Sequence, residues 1–168
     1  MRGVAGRSIV VPTADSMRDL GEAIGHLCSG GDVLVLSGDL GAGKTTFTQG
    51  LARGIGIDEP VTSPTFVIAR VHANPGDGPD LVHVDAYRLG SSVELDALDL
   101  DADLERSVVV VEWGGGLAER LAESWLALAL GRADDVDAET RVVTVTGHGT
   151  RWDGVLDAWP LTGDESGG

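Results

Sequence analysis

The hydrophobic residues at the start of the chain form a short apolar run, then recur at helical spacing, and then form a second, unbroken apolar run. Residues 8–11 are mostly apolar and predict a short strand. Apolar residues then recur at helical spacing as far as residue 27, which predicts a helix capped by Thr13 or Asp15. The unbroken apolar run at 33–36 predicts a buried strand, and residues 45–55 predict a second helix that ends in a glycine-rich stop.

The rest of the chain continues this alternation of strands and helices. Residues 66–72 and 81–87 alternate like strands and are separated by a turn-forming segment, so they predict an antiparallel hairpin. Further strands are expected at 108–111, 126–130 and 141–146, and short helices at 94–104, 117–124 and 151–159. These elements predict a single α/β domain over residues 8–159, with disordered segments at 1–7 and 160–168.

A phosphate-binding motif lies between the strand at 33–36 and the helix at 45–55. Residues 38–45 match G-x-x-x-x-G-K-[ST] in the strand–loop–helix context that this P-loop motif requires. Backbone N–H groups would bind the phosphates, Lys44 would reach the β- and γ-phosphates, and Thr45 would ligate Mg²⁺. The predicted nucleotide-binding residues are Asp39, Leu40, Gly41, Ala42, Gly43, Lys44, Thr45 and Thr46, with Thr13 as a candidate for contact with the base or ribose.

Two acidic residues stand at the ends of predicted strands. Asp85 closes an apolar stretch of the hairpin, and Glu112 follows the apolar run at 108–111. Because the carboxyl ends of strands in an open α/β sheet meet at the ligand crevice, both acids could face the phosphates. One would then hold Mg²⁺ and the other would orient the attacking water. The alternative for each is a helix cap or a surface acid.

A hydroxyl-rich loop, an arginine and a tryptophan complete the candidate residues. The loop lies between the second helix and the hairpin and consists of Thr62, Ser63, Pro64 and Thr65. Its position suits a switch that senses the γ-phosphate, although these residue types are also ordinary in loops. Arg88 could neutralise phosphate charge, contact a partner or form a surface salt bridge. Trp113 fits the core or a partner contact better than base stacking.

Composition bounds the choice of partner and nucleotide. The formal net charge of −15 opposes direct binding to nucleic acid, so any action on RNA would go through a partner. Lys44 is the only lysine, which excludes the N-K-x-D guanine-recognition motif and favours ATP. The sequence shows no signal peptide and no apolar run long enough to span a membrane, so a cytoplasmic protein is expected. Cys28 and the four histidines, which lack metal-ligand spacing, are interpreted as structural residues.

Four segments are more specific in combination than any one of them. They are S-G-D-L-G-A-G-K-T-T-F-T-Q-G at 37–50, V-T-S-P-T-F at 61–66, H-V-D-A-Y-R-L at 83–89 and V-V-E-W at 110–113. In this order they resemble the TsaE (YjeE) family, small bacterial P-loop ATPases of tRNA threonylcarbamoyladenosine synthesis, over about residues 8–147. The chain departs from the family pattern at Ala86, where leucine is frequent, and at three glycines that follow Trp113.

The resemblance implies a fold, an activity and a set of residue roles. The fold is a single P-loop NTPase domain of the α/β class, with a mixed, mostly parallel sheet flanked by helices. The activity is ATP hydrolysis in support of a TsaB–TsaD complex that transfers threonylcarbamoyl to tRNA. By the same resemblance Lys44 binds phosphate, Thr45 and Glu112 ligate Mg²⁺, and Asp85 acts in hydrolysis. The loop at 62–65 resembles the first switch of the family, and Trp113 a residue near the nucleotide or the partner.

Two other functions remain open at this stage. A small-molecule kinase would use the same P-loop in a domain of this size, but the sequence shows no lid and no acceptor-site motif. A non-catalytic scaffold would bind nucleotide to lock a complex without hydrolysing it.

Overall fold

The computed structural model describes residues 4–38, 43–58, 69–85, 104–112, 123–132, 140–152 and 155. The helices are α1 (Ala14–Leu27) and α2 (Lys44–Ile55), with 3₁₀ turns at Leu104–Arg106 and Thr150–Trp152. The strands are β1 (Val4–Val11), β2 (Val33–Ser37), β3 (Ala69–His72), β4 (Asp80–Asp85), β5 (Ser107–Glu112), β6 (Trp125–Arg132) and β7 (Arg141–His148). Among the described residues, no helix is both long and apolar enough to cross a membrane.

One sheet contains all seven of these strands, in the order β1-β7-β6-β2-β5-β4-β3. The central strands β6, β2, β5 and β4 pair in parallel, whereas β7 and β3 run the other way. Every residue of β5 is buried, as expected for a strand in the middle of a covered parallel sheet. The predicted α/β class with a mixed, mostly parallel sheet and an antiparallel hairpin is therefore confirmed.

The first strand begins four residues earlier than the apolar pattern of the sequence predicts. β1 begins at Val4 and pairs with β7 along its whole length, from Val4 opposite His148 to Val11 opposite Arg141. The prediction of disorder is therefore wrong for residues 4–7. Their side chains show no apolar alternation, but backbone hydrogen bonds to a neighbouring strand form regardless of side-chain type.

Other predicted elements lie wholly or mostly beyond the described residues. These are the helices at 94–104 and 117–124, and the tail at 160–168. The predicted helix at 151–159 is represented by the 3₁₀ turn Thr150–Trp152, together with a helical residue at Val155.

Helices α1 and α2 pack against each other unusually closely through glycines. A Cβ atom on Gly21 would overlap the carbonyl oxygen of Phe47, and one on Gly50 would overlap that of Arg18. Further along both helices, a Cβ on Gly25 would lie 2.6 Å from the carbonyl oxygen of Leu51. Because contacts advance in the same direction on both helices, α1 and α2 run parallel and their N-termini lie at the same end of the sheet.

A buried carboxylate ties the C-terminal 3₁₀ turn to the end of α1. Arg151 donates from Nε and Nη2 to the two carboxylate oxygens of Asp32, each at 3.0 Å, and Nη2 also donates to the Leu27 carbonyl at 2.8 Å. The guanidinium lies 4.3 Å from the ring centroid of Trp152.

The pKa of Cys28 is raised to about 12, mainly by burial of the thiol and to a smaller extent by the nearby charge of Asp32. Cys28 therefore stays a thiol at neutral pH, as expected for a structural residue.

Replacing Arg151 with methionine is expected to lower the free energy of unfolding by about 2–3 kcal/mol, because the 8%-exposed Asp32 side chain loses its charged partner. Urea unfolding followed by circular dichroism would measure this change. The matched control is Arg53→Met, which removes a loose 3.9 Å pair with Glu22 at the surface and should cost less than about 0.5 kcal/mol. Equal losses in the two variants would show that the Asp32–Arg151 contact stabilises the fold no more than a surface ion pair does.

Candidate nucleotide-binding site

The P-loop lysine stands at the first position of α2 and reaches back towards the end of β2. Gly43 caps the helix with φ +107°, a left-handed conformation that favours glycine. Lys44 is buried, and its Nζ donates to the Gly38 carbonyl oxygen at 2.7 Å. The lysine thus spans the two ends of the phosphate-binding loop. The predicted loop residues themselves, Asp39, Leu40, Gly41 and Ala42, lie outside the described residues.

The first turn of α2 presents backbone donors at the same place. The first hydrogen bond of the helix runs from the Phe47 N–H to the Gly43 carbonyl, at 2.8 Å. The N–H groups of Thr45 and Thr46 therefore precede the helical ladder and point out of its N-terminus, where an anion binds favourably. Both threonines are half-buried. Thr45 and Thr46 thus lie in the first turn of α2, and their contact with phosphate stays a prediction.

Thr13 caps α1 at the same end of the molecule. Its Oγ1 accepts a hydrogen bond from the Ser16 N–H at 3.1 Å, and its own N–H donates to the Ser16 Oγ at 2.9 Å, which is a complete capping box. Met17, four residues after Thr13, lies against Gly43 at the start of α2. Thr13 is therefore exposed beside the phosphate-binding end, with its hydroxyl used by the cap, and its contact with base or ribose stays a prediction.

The two predicted acids occupy neighbouring positions in the sheet. Glu112 is the last residue of β5 and pairs with Leu36 of β2 on one side and with Asp85 of β4 on the other. β2 is the strand that leads into the phosphate-binding loop, so Glu112 lies one strand from that loop. Asp85 lies one strand further away, and only its backbone is described.

Glu112 contacts a residue that was not among the predicted site residues, His83. The Nε2 atom of His83 lies 2.6 Å from Oε2 of Glu112, and the two side chains are 0% and 8% exposed. A histidine at an inward position of a buried strand, two residues before the acid of the H-V-D segment, was the available signal. It was not decisive because the register between β4 and β5 cannot be read from either strand alone.

Six of the remaining candidates lie beyond the part of the chain that the structure describes. The loop residues Thr62, Ser63, Pro64 and Thr65 lie outside the described residues. Arg88 and Trp113, which follow β4 and β5, also lie outside them. Their roles as switch or partner contacts stay predictions.

The oxygen donors at this end of the sheet suit a magnesium ion bound together with a nucleotide. Mg²⁺ prefers oxygen ligands and usually takes only one or two from the protein, with water and phosphate supplying the rest. The Thr45 hydroxyl and the Glu112 carboxylate are donors of this kind. Oε2 of Glu112 contacts His83, whereas Oε1 makes no hydrogen bond to another described residue and so remains available. The residues present therefore fit the ion.

Residues 11–142 match a family model described as threonylcarbamoyl adenosine biosynthesis protein TsaE. The chain belongs to the TsaE family. The matched region contains the P-loop, His83, Asp85 and Glu112, so the resemblance found in the four sequence segments is confirmed. Membership connects the chain with the biosynthesis of threonylcarbamoyladenosine in tRNA.

Individual TsaE proteins agree with this assignment over most of their length. The TsaE protein of Streptomyces coelicolor is 57% identical over 138 residues, which cover 81% of this chain and 93% of the relative. The TsaE protein of Mycobacterium tuberculosis H37Rv is 48% identical over 147 residues, covering 83% and 86%. The crystal structure of YdiB from Bacillus subtilis superposes with a TM-score of 0.70 at 31% identity, covering 94% of this chain and 95% of that one. The fold of this TsaE-family chain is therefore that of a solved relative.

Proposed function

We propose that this chain is a magnesium-dependent ATPase that supports tRNA threonylcarbamoyladenosine formation by a TsaB–TsaD pair. The observation that carries the proposal is the arrangement at one end of the sheet. There the Nζ of Lys44, at the start of α2, donates to the Gly38 carbonyl that follows β2. Glu112 is the last residue of the adjacent strand β5, and its carboxylate is nearly buried. Phosphoryl transfer needs mainly positioning and charge neutralisation, which a lysine, helix N–H groups and a cation-binding carboxylate supply.

Each residue would have a distinct task in this reaction. Lys44 would leave the Gly38 carbonyl and bind the β- and γ-phosphates, while the N–H groups of Thr45 and Thr46 bind phosphate oxygens. Thr45 and Glu112 would hold Mg²⁺, which would neutralise charge on the phosphates.

The remaining residues would act in hydrolysis, in sensing the nucleotide and in partner contact. Asp85, in register with Glu112, would orient the attacking water. The loop at 62–65 would sense the γ-phosphate, and Arg88 and Trp113 would contact the nucleotide or the partner.

Charge and composition support an indirect role towards tRNA. The net charge of −15 repels a polynucleotide, so a partner complex would hold the tRNA while this chain supplies nucleotide-driven turnover. The absence of a second lysine, and hence of N-K-x-D, supports ATP over GTP as the nucleotide. A protein acting on tRNA in this way would work in the cytoplasm.

Steady-state ATP hydrolysis by the purified chain, with and without a cognate TsaB–TsaD pair, tests the proposal. We expect slow hydrolysis alone and at least about tenfold stimulation by the pair, comparable to ordinary coupling between sites. Hydrolysis should stop when EDTA removes Mg²⁺, and GTP should be a poor substrate. A fast rate that the pair leaves unchanged would contradict the proposal and favour an independent ATPase or a kinase. Full tRNA modification with an Asp85→Asn variant that binds ATP without hydrolysing it would favour the scaffold.

A further inference from the structure

We propose that His83 is a positioning residue that holds the Glu112 carboxylate in the orientation required to bind Mg²⁺ with the nucleotide. This inference rests on the proposed function, because it concerns the same cation. Its basis is the 2.6 Å contact between Nε2 of His83 and Oε2 of Glu112, in a setting where His83 is fully buried. His83 itself would touch neither the nucleotide nor the reacting atoms.

The register of the sheet explains why these two side chains meet. β4 and β5 are parallel, with His83 opposite Val110 and Asp85 opposite Glu112. Glu112 is therefore two positions beyond the direct neighbour of His83 and has the same orientation relative to the sheet. The two side chains are long enough to bridge this diagonal. The contact thus joins the interior of β4 to the last residue of β5, at the phosphate-binding end.

The surroundings of Nδ1, the second ring nitrogen of His83, indicate which of the two nitrogens carries the proton. Nδ1 is buried and has no hydrogen-bond partner among the described residues. A proton on Nδ1 would be a buried donor without an acceptor, which is unfavourable. The proton therefore belongs on Nε2, where it is donated to the Glu112 carboxylate. In this tautomer the carboxylate gains a directed, charge-assisted hydrogen bond.

A hydrogen bond to one carboxylate oxygen has a specific consequence for the other. Glutamate has three rotatable side-chain bonds, and fixing Oε2 against His83 leaves Oε1 as the oxygen that can face a cation. Partners that orient the ligands of a metal commonly affect metal affinity by 10- to 100-fold, although they never touch the ion. A histidine that served only to fill the core would be less suitable than leucine, because its unpartnered Nδ1 is buried at a cost.

Two amide substitutions separate positioning from mere space-filling. In His83→Gln the side-chain nitrogen can occupy the place of Nε2 and still donate to Glu112. In His83→Asn the nitrogen occupies the place of Nδ1 and cannot reach it. Both variants are neutral and polar, so they form a matched pair. The readout is the Mg²⁺ dissociation constant of the ATP-bound protein, measured through a fluorescent ATP analogue titrated with Mg²⁺, beside the affinity for the analogue in EDTA.

We expect His83→Asn to weaken Mg²⁺ binding by about tenfold or more, and His83→Gln to stay within about threefold of the unmodified chain. Binding of the analogue in EDTA should be the same in all three proteins. In a Glu112→Gln background, His83→Asn should have no further effect on Mg²⁺, because the residue it positions is already lost. Equal Mg²⁺ affinities in the two His83 variants, or additive losses in the double variant, would overturn the inference.

A measurement on the unmodified protein remains decisive if a variant does not fold. Imidazole ¹⁵N chemical shifts should show His83 protonated at Nε2, and the signal should change when ATP is added with Mg²⁺ rather than with EDTA. Protonation at Nδ1 alone would refute the positioning role. The proposed function fails separately, if the unmodified chain binds the ATP analogue equally well with and without Mg²⁺ and shows no hydrolysis.

Discussion

Replacing Lys44 with alanine is expected to reduce ATP hydrolysis by at least about a hundredfold and to weaken nucleotide binding as well. A single preorganised charge or donor aimed at a transition state commonly contributes a factor of this size. Lys44 is the only lysine in the chain, is buried, and stands at the N-terminus of α2, where its Nζ bridges to the Gly38 carbonyl. No nearby residue of the same kind can replace it.

Stimulated and unstimulated turnover should both be measured for Lys44→Ala, together with binding of a fluorescent ATP analogue. The control is Arg53→Ala, which removes one positive charge from the last turn of the same helix, at a side chain that is 53% exposed. That variant should keep full turnover, because it changes the net charge equally but lies at the opposite end of α2. Normal turnover in Lys44→Ala would refute the assignment of the P-loop as the active nucleotide site.

Local sequence patterns predicted the elements around the P-loop well. The apolar period of α1, the buried run of β2 and the glycine stop after α2 are each encoded within a few residues, so they could be predicted directly. The cap of α1 was narrowed to Thr13 or Asp15, and the structure shows that it is Thr13. The start of β1 could not, because residues 4–7 owe their strand conformation to pairing with β7, more than a hundred residues later. Long-range pairing is a property of the folded sheet and leaves no period in the shorter segment.

In the candidate site, too, the features encoded in a short segment could be predicted, whereas those that depend on pairing between distant strands could not. Gly43, Lys44, Thr45 and Thr46 belong to one contiguous motif, and they lie at the N-terminal end of α2, with Gly43 as its cap. Glu112 was predicted from its position at the end of an apolar strand. In the sheet it is the register partner of Leu36, near the end of β2. The contact between His83 and Glu112 joins residues 29 positions apart and depends on the register of two parallel strands. Register follows from packing of the whole sheet, so the pair could not be found in advance.

The glycines between α1 and α2 also escaped the sequence analysis, for a different reason. Each one looks like an ordinary helix-weakening residue when read alone. Their meaning appears only when both helices are seen together, because Gly21 and Gly25 face α2 while Gly50 and Gly54 face α1. A closely packed pair of parallel helices places the caps of both at the phosphate-binding end. The spacing of these glycines therefore affects the site as well as the core.

Substitution of Gly50 by alanine should consequently destabilise the chain by about 3 kcal/mol or more, at the upper end of the usual cost of overpacking. The new Cβ would overlap the Arg18 carbonyl oxygen and approach the Arg18 carbonyl carbon to 2.7 Å, and both atoms belong to the backbone of α1. A side chain could rotate away, but a helix backbone can relieve this contact only by moving as a whole. The gain of about 1 kcal/mol in helix propensity on replacing glycine with alanine is too small to compensate.

The displacement of α1 gives this prediction a second readout. Met17, in the first turn of α1, lies against Gly43 at the N-terminus of α2, so a separation of the helices should also disturb the P-loop and weaken ATP-analogue binding. Gly131→Ala in β6 is the matched control, because a Cβ there would meet no atom within 4 Å. That variant should unfold within about 0.5 kcal/mol of the unmodified chain in urea and bind the analogue normally. If Gly50→Ala were as stable as Gly131→Ala, the close approach of the two helices would not be what holds the P-loop helix in place.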